Sequence, residues 1–406
     1  MGSDNWPTTW SDDDHQYSIW GDGGGFGGSD TKGRSSFGVA RIEGDHDNYQ
    51  GVNRYGGIGE ECDSSIDGKS HGAPVSIGGV LYAWVTPESN AKGYASFTLY
   101  SSRDKACTWY PSDVVFEQAR DGVSFGGFVQ FGKDNSAAID AYVYTITAEV
   151  TETESLSIVQ RPGRIMLLRA PVGSIEQRSA YEFFAGLDAN GQPLWSKDAE
   201  AKSPIYQDAD GVGPFAQMVF VPGLNRFVYS NQRGNGVDAA ARTSLLTIAE
   251  APNPWGPWTI VYDDLFFPQI EHTVFQWNFA PKWFRNDGRD FTLIFSGIGS
   301  NDSWNTIDGT FTTAPQLLCP VRISSDLECG AGSTSEGFAP VQAPRQRAVV
   351  KGTYLKGTDR IRAPLARTSE SMQGRDKLMD LSNDLACVRQ VHVVICSIDL
   401  HYPRFW

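Results

Sequence analysis

The chain has 406 residues, and 34 Lys and Arg against 48 Asp and Glu give it a formal net charge of −14. Such a surface repels nucleic acids and anionic membranes, which excludes both as expected partners. No apolar run approaches the length of about 18 residues that a membrane-spanning helix needs. We expect a monomer that is secreted or periplasmic, with its leader absent from this sequence.

The composition indicates an all-β protein. Aromatic residues make up 12% of the chain and Gly occurs 43 times, which favours many short strands joined by tight turns. Six Cys occur without C-x-x-C spacing, which argues against a zinc site and leaves any disulfide pairing open.

The first two dozen residues organise the rest of the chain. Two aromatic and β-branched runs flank the Ser and Asp cluster at 11–14, and this pattern predicts a β-hairpin. Asp4 and Asp22 then lie outside the two strands at the open end, where antiparallel pairing makes them neighbours. Enzymes that cleave glycosidic bonds commonly use two neighbouring carboxyl groups. Alternatively, both aspartates are ordinary turn residues, since Asp-Asn and Gly-Asp-Gly are common in turns. The aspartates at 12–14 belong to the opposite face, so we exclude them from the chemistry.

Further strands are predicted in chain order after this hairpin. A Gly-rich loop at 23–33 leads to a strand over 37–42, and residues 44–73 form a long polar connection of the kind that often carries function. A second hairpin joins 74–77 to 80–85 through the two-residue turn Gly78-Gly79.

The segment from residue 102 to 109 resembles the Asp box of sialidase-type propellers. It carries Ser102, Asp104, Thr108 and Trp109 at the motif positions, with Ala106 where Gly is usual. In such a box the Asp side chain binds turn amides, so we expect a folding motif between the outer strands of a blade and not a catalytic one.

A unit of one hairpin and a second pair of strands recurs roughly every 50 to 70 residues. The predicted strands of the later units are 127–131, 141–146 and 164–169, then 217–221, 226–230, 244–248 and 258–262, then 280–284 and 291–295. Repeated four-stranded sheets predict a five-bladed β-propeller over residues 1–314, which would be the catalytic domain.

Residues 315–406 differ from the preceding sequence. They hold four of the six Cys but only one of the 12 Trp, so we expect a C-terminal extension of uncertain structure. We predict that residues 316–323 add a strand to the fifth blade, because an unpaired edge strand can pair with other chains and aggregate. Most of 330–390 is expected to pack loosely or to be poorly ordered.

Polar side chains from several units are expected to converge on one rim of the propeller, since the residues before each inner strand and after its partner share a face. A substrate-binding role is predicted for Lys69, His71, Asn231, Arg233, Glu271, His272 and Trp277. The neighbours Ser124, Glu149, Gln232, Gln276 and Asn278 are further candidates. The histidines could equally be ordinary loop residues, and the Glu271-His272 pair alone is weak evidence for a metal. We therefore predict no metal and no required cofactor, and no motif indicates a structural calcium ion.

Several further segments have a distinctive sequence. They are Asp4-Asn5-Trp6-Pro7, Gly21-Asp22-Gly23, Gly51-Val52-Asn53-Arg54, Asp67-Gly68-Lys69, Tyr181-Glu182-Phe183-Phe184-Ala185-Gly186 with Trp195, and Pro254-Trp255-Gly256-Pro257-Trp258. With these segments the chain resembles, over about residues 3–312, a family of bacterial five-bladed propellers, formerly of unknown function, that is related to the endo-D-arabinanases. In the arabinanase branch two Asp residues on the first blade are catalytic, so the resemblance implies that role for Asp4 and Asp22.

The leading hypothesis is a glycoside hydrolase acting on a polysaccharide or oligosaccharide, for which the resemblance implies arabinofuranosidic bonds. One of Asp4 and Asp22 would donate a proton, and the other would activate water or attack carbon. A uronate lyase is an alternative, with Arg54, Tyr55, Lys69, His71 and Arg233 available as cations and bases. A propeller that binds carbohydrate without cleaving it is a third hypothesis.

Overall fold

The computed structural model describes residues 2–66, 68–70, 72–86, 95–150, 160, 162–213, 217–232, 245–265, 274–297, 302–317 and 389–401. The chain divides into two compact units. One comprises Met1–Thr312 with Val393–Trp406, and the other Thr313–His392. In the second unit only residues 313–317 and 389–392 are described, and both stretches are extended.

Within the described residues, mainly antiparallel strands form five sheets. The strands of the first sheet are β1 Gly2–Asp4, β2 Thr8–Trp10, β3 Gln16–Gly25, β4 Gly38–Glu43 and β5 Gln50–Tyr55. Those of the second are β6 Val75–Ile77, β7 Val80–Val85, β8 Ser96–Ser102 and β9 Tyr110–Glu117. The short helix α1 spans Gln118–Asp121 and leads into the third sheet.

The other three sheets follow in chain order. The third contains β10 Val123–Phe128, β11 Tyr142–Glu149, β12 Gly163–Pro171, β13 Glu182–Leu187, β14 Pro193–Ser196 and β15 Pro204–Asp208. The fourth contains β16 Gln217–Val221, β17 Arg226–Gln232, β18 Leu245–Ala251 and β19 Thr259–Leu265. The fifth contains β20 Phe275–Phe279, β21 Asp290–Ser296, β22 Asn305–Leu317 and β23 Arg389–His401.

Hydrogen bonds join each sheet to the next and the fifth back to the first. In that order they run from Ser76 N to Thr9 Oγ1 at 3.2 Å, Phe128 N to Ala73 O at 2.9 Å, Gln130 N to Met218 O at 2.9 Å, Ser230 Oγ to Trp277 O at 2.8 Å, and Asn278 Nδ2 to Asn5 O at 2.6 Å. The all-β arrangement is therefore propeller-like, which confirms the predicted fold class at that level.

A separate apolar core lies between each pair of neighbouring sheets. The core between the fifth sheet and the first contains Trp6 and Trp20 from the N-terminal segment and Trp304, which directly precedes β22. The rings of Trp6 and Trp304 meet edge to face with their centroids 5.1 Å apart. Because large aromatic side chains bury much apolar area, this contact is a substantial link between the two ends of the ring.

Two strand predictions were wrong. Residues 44–73 are not a continuous connection, because Gln50–Tyr55 forms β5 and pairs with β4. The first strand of the fifth sheet is Phe275–Phe279, whereas residues 281–283 form a 3-10 turn in place of the strand predicted at 280–284. Pro281 begins this turn and cannot donate to a sheet, which explains why the strand ends before it.

The Asp box lies between β8 and β9, as predicted. Asp104 accepts hydrogen bonds from Thr108 N at 2.8 Å and from Thr108 Oγ1 at 2.6 Å. Ala106 takes the left-handed conformation, with φ 68°, that the usual Gly would adopt without strain. The adjacent Cys107 forms a disulfide with Cys62, which ties the turn to the segment that follows β5.

The C-terminal predictions are only partly addressed by the described residues. β22 reaches Leu317, and the rest of the strand predicted at 316–323 lies outside the described residues, as does 330–388. The fourth strand of the fifth sheet is β23, which contains the apolar run at 391–395. The domain boundary at residue 314 stays a prediction. None of the described helices is both long and apolar enough to cross a membrane.

Candidate functional site

The strands β1 and β3 carry the two aspartates that the sequence singled out. The predicted hairpin exists as β2 and β3, but Asp4 and Asp22 lie within paired strands rather than beyond their ends. Asp4 is opposite Gly21, so Asp22 is the next residue along the partner strand. Successive side chains of a regular strand point to opposite faces, but Asp22 has φ 59°, which breaks that alternation.

Strained backbone surrounds this pair of strands. Asn5, Trp6 and Asp22 have φ values of 81°, 50° and 59°, and Gln276 of the fifth sheet has φ 58°. Left-handed backbone at a bulky residue such as Trp or Gln is uncommon and costs on the order of 1–3 kcal/mol. Both β1 and β20 are also irregular in register here. Strain of this kind concentrates at functional sites, so its location supports a site at this rim.

Two cations hold the carboxylate of Asp22. Lys69 Nζ lies 2.5 Å from Asp22 Oδ2, and Arg34 Nη2 lies 3.1 Å from Asp22 Oδ1. The Lys69 side chain is 4% exposed, while 27% of the Asp22 side chain remains open to solvent. Both carboxylate oxygens of Asp22 are therefore bound by cations, while part of its side chain stays accessible to a ligand.

The Gly-rich loop delivers Arg34 to this position. A Cβ on Gly23 would overlap the carbonyl of Gly2, so only glycine lets the loop begin beside β1. Gly23 and Ser35 then exchange backbone hydrogen bonds, which closes the loop. Arg34 Nη1 donates to the backbone oxygen of Asp22 at 2.6 Å and to that of Asp30 at 3.3 Å.

A carboxyl from the far end of the chain joins the same rim. Asp302, just before β22, lies close enough to Asp30, Asp22 and Arg34 for these groups to influence its pKa. Burial raises the pKa of the Asp302 carboxyl, and the neighbouring Asp30 raises it further, to about 6. The site thus contains a carboxyl with a pKa raised to about 6 near a carboxylate that contacts two cations.

A chain of amide hydrogen bonds supports the site from the fifth and fourth sheets. Asn278 Nδ2 donates to the backbone oxygens of Asn5 and Gln276, at 2.6 and 3.0 Å. Gln276 N donates to Gln232 Oε1 at 3.2 Å. Asn5 in turn donates from Nδ2 to Asp4 Oδ1 at 2.6 Å, so the orientation of Asp4 is coupled to this chain. The buried oxygens Asn5 Oδ1 and Gln276 Oε1 have no hydrogen-bond partner among the described residues.

The structure places the sequence-predicted residues unequally. Lys69 contacts Asp22, and Asn231 is buried with its Oδ1 accepting from Gly213 N at 3.0 Å. Trp277 is 1% exposed and packs on Phe295, which argues against a stacking role with a ligand. Four candidates, His71, Arg233, Glu271 and His272, lie outside the described residues. The binding roles of all seven residues stay predictions.

Sequence reasoning missed Arg34, Asp30 and Asp302. The first two lie in the Gly-rich loop, and the polar sequence Asp30-Thr31-Lys32-Gly33-Arg34 was the available signal. Asp302 precedes the third strand of the fifth sheet, and only the contact of that sheet with the first brings it to the rim. Within the described ranges, no group of three or more His, Cys, Asp or Glu side chains is arranged to hold a metal ion. The expectation that no cofactor is required stays a prediction.

Comparison with known proteins gives distant structural likenesses only. No family model and no curated protein matches the chain. A putative exo-β-1,3-galactanase from Bifidobacterium bifidum has 10% sequence identity and a TM-score of 0.46, over 76% of this chain and 87% of that one. A GH43_1 enzyme from Xanthomonas citri in complex with xylotriose has 12% identity and a TM-score of 0.42, over 73% of this chain and 81% of that one. A GH43 endo-arabinanase from Bacillus licheniformis has 10% identity and a TM-score of 0.41, over 77% of this chain and 96% of that one.

Proposed function

We propose that the protein is a glycoside hydrolase that uses Asp4 and Asp22 as its catalytic carboxyl groups. The observation that carries the proposal is the pairing of β1 with β3, which makes Asp4 and the residue next to Asp22 direct partners. Enzymes that split glycosidic bonds use two carboxyl groups with different protonation states. Here the two groups have different surroundings, since Asp22 contacts two cations and Asp4 accepts from an amide.

The division of roles follows from these contacts. Lys69 and Arg34 bind and orient the carboxylate of Asp22, which suits the residue that activates water or attacks the anomeric carbon. Asp4 then acts as the general acid and protonates the leaving oxygen. A five-bladed ring around this site is part of the same proposal, supported by the hydrogen bonds between the fifth sheet and the first.

The substrate is proposed to be a neutral, hydroxyl-rich polysaccharide. Asn5 is bonded to Asp4, and Asn278 links the backbones of Asn5 and Gln276. The unpartnered side-chain oxygens of Asn5 and Gln276 would accept hydrogen bonds from hydroxyl groups if the local backbone relaxes toward a ligand. The resemblance of segments within residues 3–312 to a propeller family related to the endo-D-arabinanases makes arabinofuranosidic bonds the first to test.

A substrate screen tests the proposal. Purified protein is incubated with arabinans, galactans, xylans and pectins, and new reducing ends and ultraviolet absorbance are recorded together. New reducing ends without an unsaturated product support hydrolysis, whereas an absorbing product would show a lyase. Asp4→Asn and Asp22→Asn should each lower turnover by about 1,000-fold, with Asp287→Asn, in an exposed turn, as the matched control. Full activity in either site variant would rule out the assigned pair.

A further inference from the structure

The side chain of Asn53 bonds to backbone groups of two different loops. One is the Gly-rich loop, and the other comprises residues 56–60, which directly follow β5. Asn53 Oδ1 accepts from Phe26 N at 2.9 Å, and Asn53 Nδ2 donates to Phe26 O at 2.9 Å, to Ile58 O at 2.8 Å and to Gly24 O at 3.4 Å. Asn53 is only 4% exposed, so a single buried amide supplies hydrogen-bond partners to both loops at once.

The two loops also contact each other directly. Ile58 N donates to Gly24 O at 2.9 Å. A Cβ on Gly33 would lie 2.6 Å from Ile58 Cγ1, so the Ile58 side chain packs against the residue that precedes Arg34. Gly33 has φ 73°, a conformation that glycine adopts without strain. The contacts therefore run from Asn53 through Ile58 to the backbone that carries Arg34.

Arg34 depends on this backbone because its own side-chain contacts are weak. Its side chain is 49% exposed, and an exposed ion pair such as the one with Asp22 is screened by solvent and orders a long side chain at an entropic cost. The backbone hydrogen bonds between Gly23 and Ser35 close the base of the Gly-rich loop. The residues between them are held by other contacts, and Asn53 supplies several of these.

We propose that Asn53 is a positioning residue, which joins the two loops into one unit and so holds the Arg34 guanidinium on Asp22. The side-chain hydrogen bonds of Asn53 go to the backbone of the loops, so its effect on Asp22 passes through Arg34. The consequence for catalysis rests on the proposed function of Asp22, but the joining of the loops does not.

Modification of arginine by phenylglyoxal tests the positioning without any substrate, with the rate at each arginine read from peptide masses. Asn53→Asp keeps the size of the side chain and the acceptor for Phe26 N but loses both amide donors. It should raise the modification rate of Arg34 by about two- to fivefold, the range that corresponds to the strength of an exposed ion pair. The same substitution in an exposed turn, Asn225→Asp, is the matched control and should leave the rate unchanged.

Ile58→Ala tests the same path at a second residue. It leaves the hydrogen bond from Asn53 in place, since that bond uses the backbone oxygen of Ile58, but it removes the side chain that packs on the Gly-rich loop. The modification rate of Arg34 should rise here too, whereas Arg178, which bonds to Asp121, should keep its wild-type rate in every variant. A wild-type rate at Arg34 in Ile58→Ala or in folded Asn53→Asp, or equal increases at Arg34 and Arg178, would overturn the proposal.

A double-mutant cycle on turnover tests the link to Asp22. On a polysaccharide that the screen identifies, Arg34→Ala and Asn53→Asp should each lower kcat by about tenfold, and the double variant should lose no more than Arg34→Ala alone. A purely structural role of Asn53 would instead multiply the two losses, and that result would overturn the link. If no polysaccharide is cleaved, the proposed function fails, and the modification rates still decide whether Asn53 holds Arg34 in place.

Discussion

Two clusters of charged residues in this protein shift the pKa of a partly or fully buried carboxyl group in opposite directions. Asp121, at the end of α1, has a side chain that is 3% exposed and accepts hydrogen bonds from Arg120, Arg178 and the backbone nitrogen of Glu117. Burial alone would raise the pKa of Asp121, but these donors outweigh it and hold the pKa below its usual value. Asp302 has other carboxyls as close neighbours, and its pKa is raised.

The difference indicates what each cluster is for. The Asp121 cluster joins the second sheet to the third, since Arg178 precedes β13 and Asp121 follows β9. A buried carboxylate with its acceptors satisfied by cations and an amide stabilises the contact between those sheets. The rim around Asp22 has strained backbone and competing carboxyls instead, and such arrangements are found where a protein binds or reacts. Substitutions in the Asp121 cluster should therefore change stability, and substitutions at the rim around Asp22 should change activity, so measuring both quantities tests this interpretation.

The largest expected effect is on turnover. Asp4→Asn and Asp22→Asn should each lower it by about 1,000-fold, because each removes a group that transfers or withdraws a proton in the reaction. Asp22→Asn should also lower the stability, because it removes the ion pair that Asp22 forms with the buried Lys69. Turnover of the hydrolysed polysaccharide and denaturant unfolding, measured on the same preparations, check both statements. Asp121→Asn is the reciprocal control and should keep wild-type turnover.

Much of the fold could be predicted because it depends on local sequence. The turn Gly78-Gly79 connects β6 to β7, and the Asp box connects β8 to β9, as their residues require. The strand β5 was missed because Gln50–Tyr55 is polar. It lies at the edge of its sheet and is mostly only partly buried, so its sequence shows no strong alternation of apolar and polar residues. The first strand of the fifth sheet was predicted at 280–284 rather than at Phe275–Phe279, because its buried polar residues, Gln276 and Asn278, interrupt the apolar pattern.

The candidate site could be predicted only in part, for a physical reason. Asp4 and Asp22 are brought together by strands that are close in sequence, which a hairpin argument can anticipate. Asp302 reaches the rim through the contact between the first and last sheets, which depends on the packing of Trp6 against Trp304. The local sequence around Asp302 gives no pattern from which that contact could be predicted. The same holds for the orientation of Arg34, which depends on the close approach of Gly23 to Gly2.

The next largest effect is the loss of stability in Asp121→Asn. The substitution removes the negative charge that binds Arg120 and Arg178 and weakens the bond from Glu117 N, so the free energy of unfolding should fall by about 2–3 kcal/mol. Chemical denaturation at neutral pH measures it. A loss below about 0.5 kcal/mol would show that the cluster does not stabilise the contact between the second and third sheets.

Acid titration of stability should show the opposite sign for the two clusters. Because the pKa of Asp121 is lowered in the folded state, its contribution is present above the unfolded value of 3.8 and is lost as the pH falls through the folded pKa. The stability difference between wild type and Asp121→Asn should therefore shrink below about pH 4. The Asp302→Asn difference develops at higher pH instead, between about 4 and 7. Denaturant midpoints recorded across both ranges distinguish the two.

The smallest expected effect separates the two arginines that bind Asp121. Arg120 makes several bonds in this cluster, to Asp121, to Glu117 and to the backbone oxygen of Val115, but its side chain is 51% exposed. Solvent and side-chain entropy weaken such contacts, so Arg120→Ala should cost only about 0.5 kcal/mol.

Arg178 makes fewer bonds but is 28% exposed, and its guanidinium lies 4.2 Å from the ring centroid of Phe116. Removing it takes away a shielded ion pair and a cation–π contact, so Arg178→Ala should cost about 1–2 kcal/mol. Combining each substitution with Asp121→Asn in a double-mutant cycle isolates the coupling to the carboxylate. Equal coupling for the two arginines would show that the number of hydrogen bonds, rather than burial, determines the strength of this cluster.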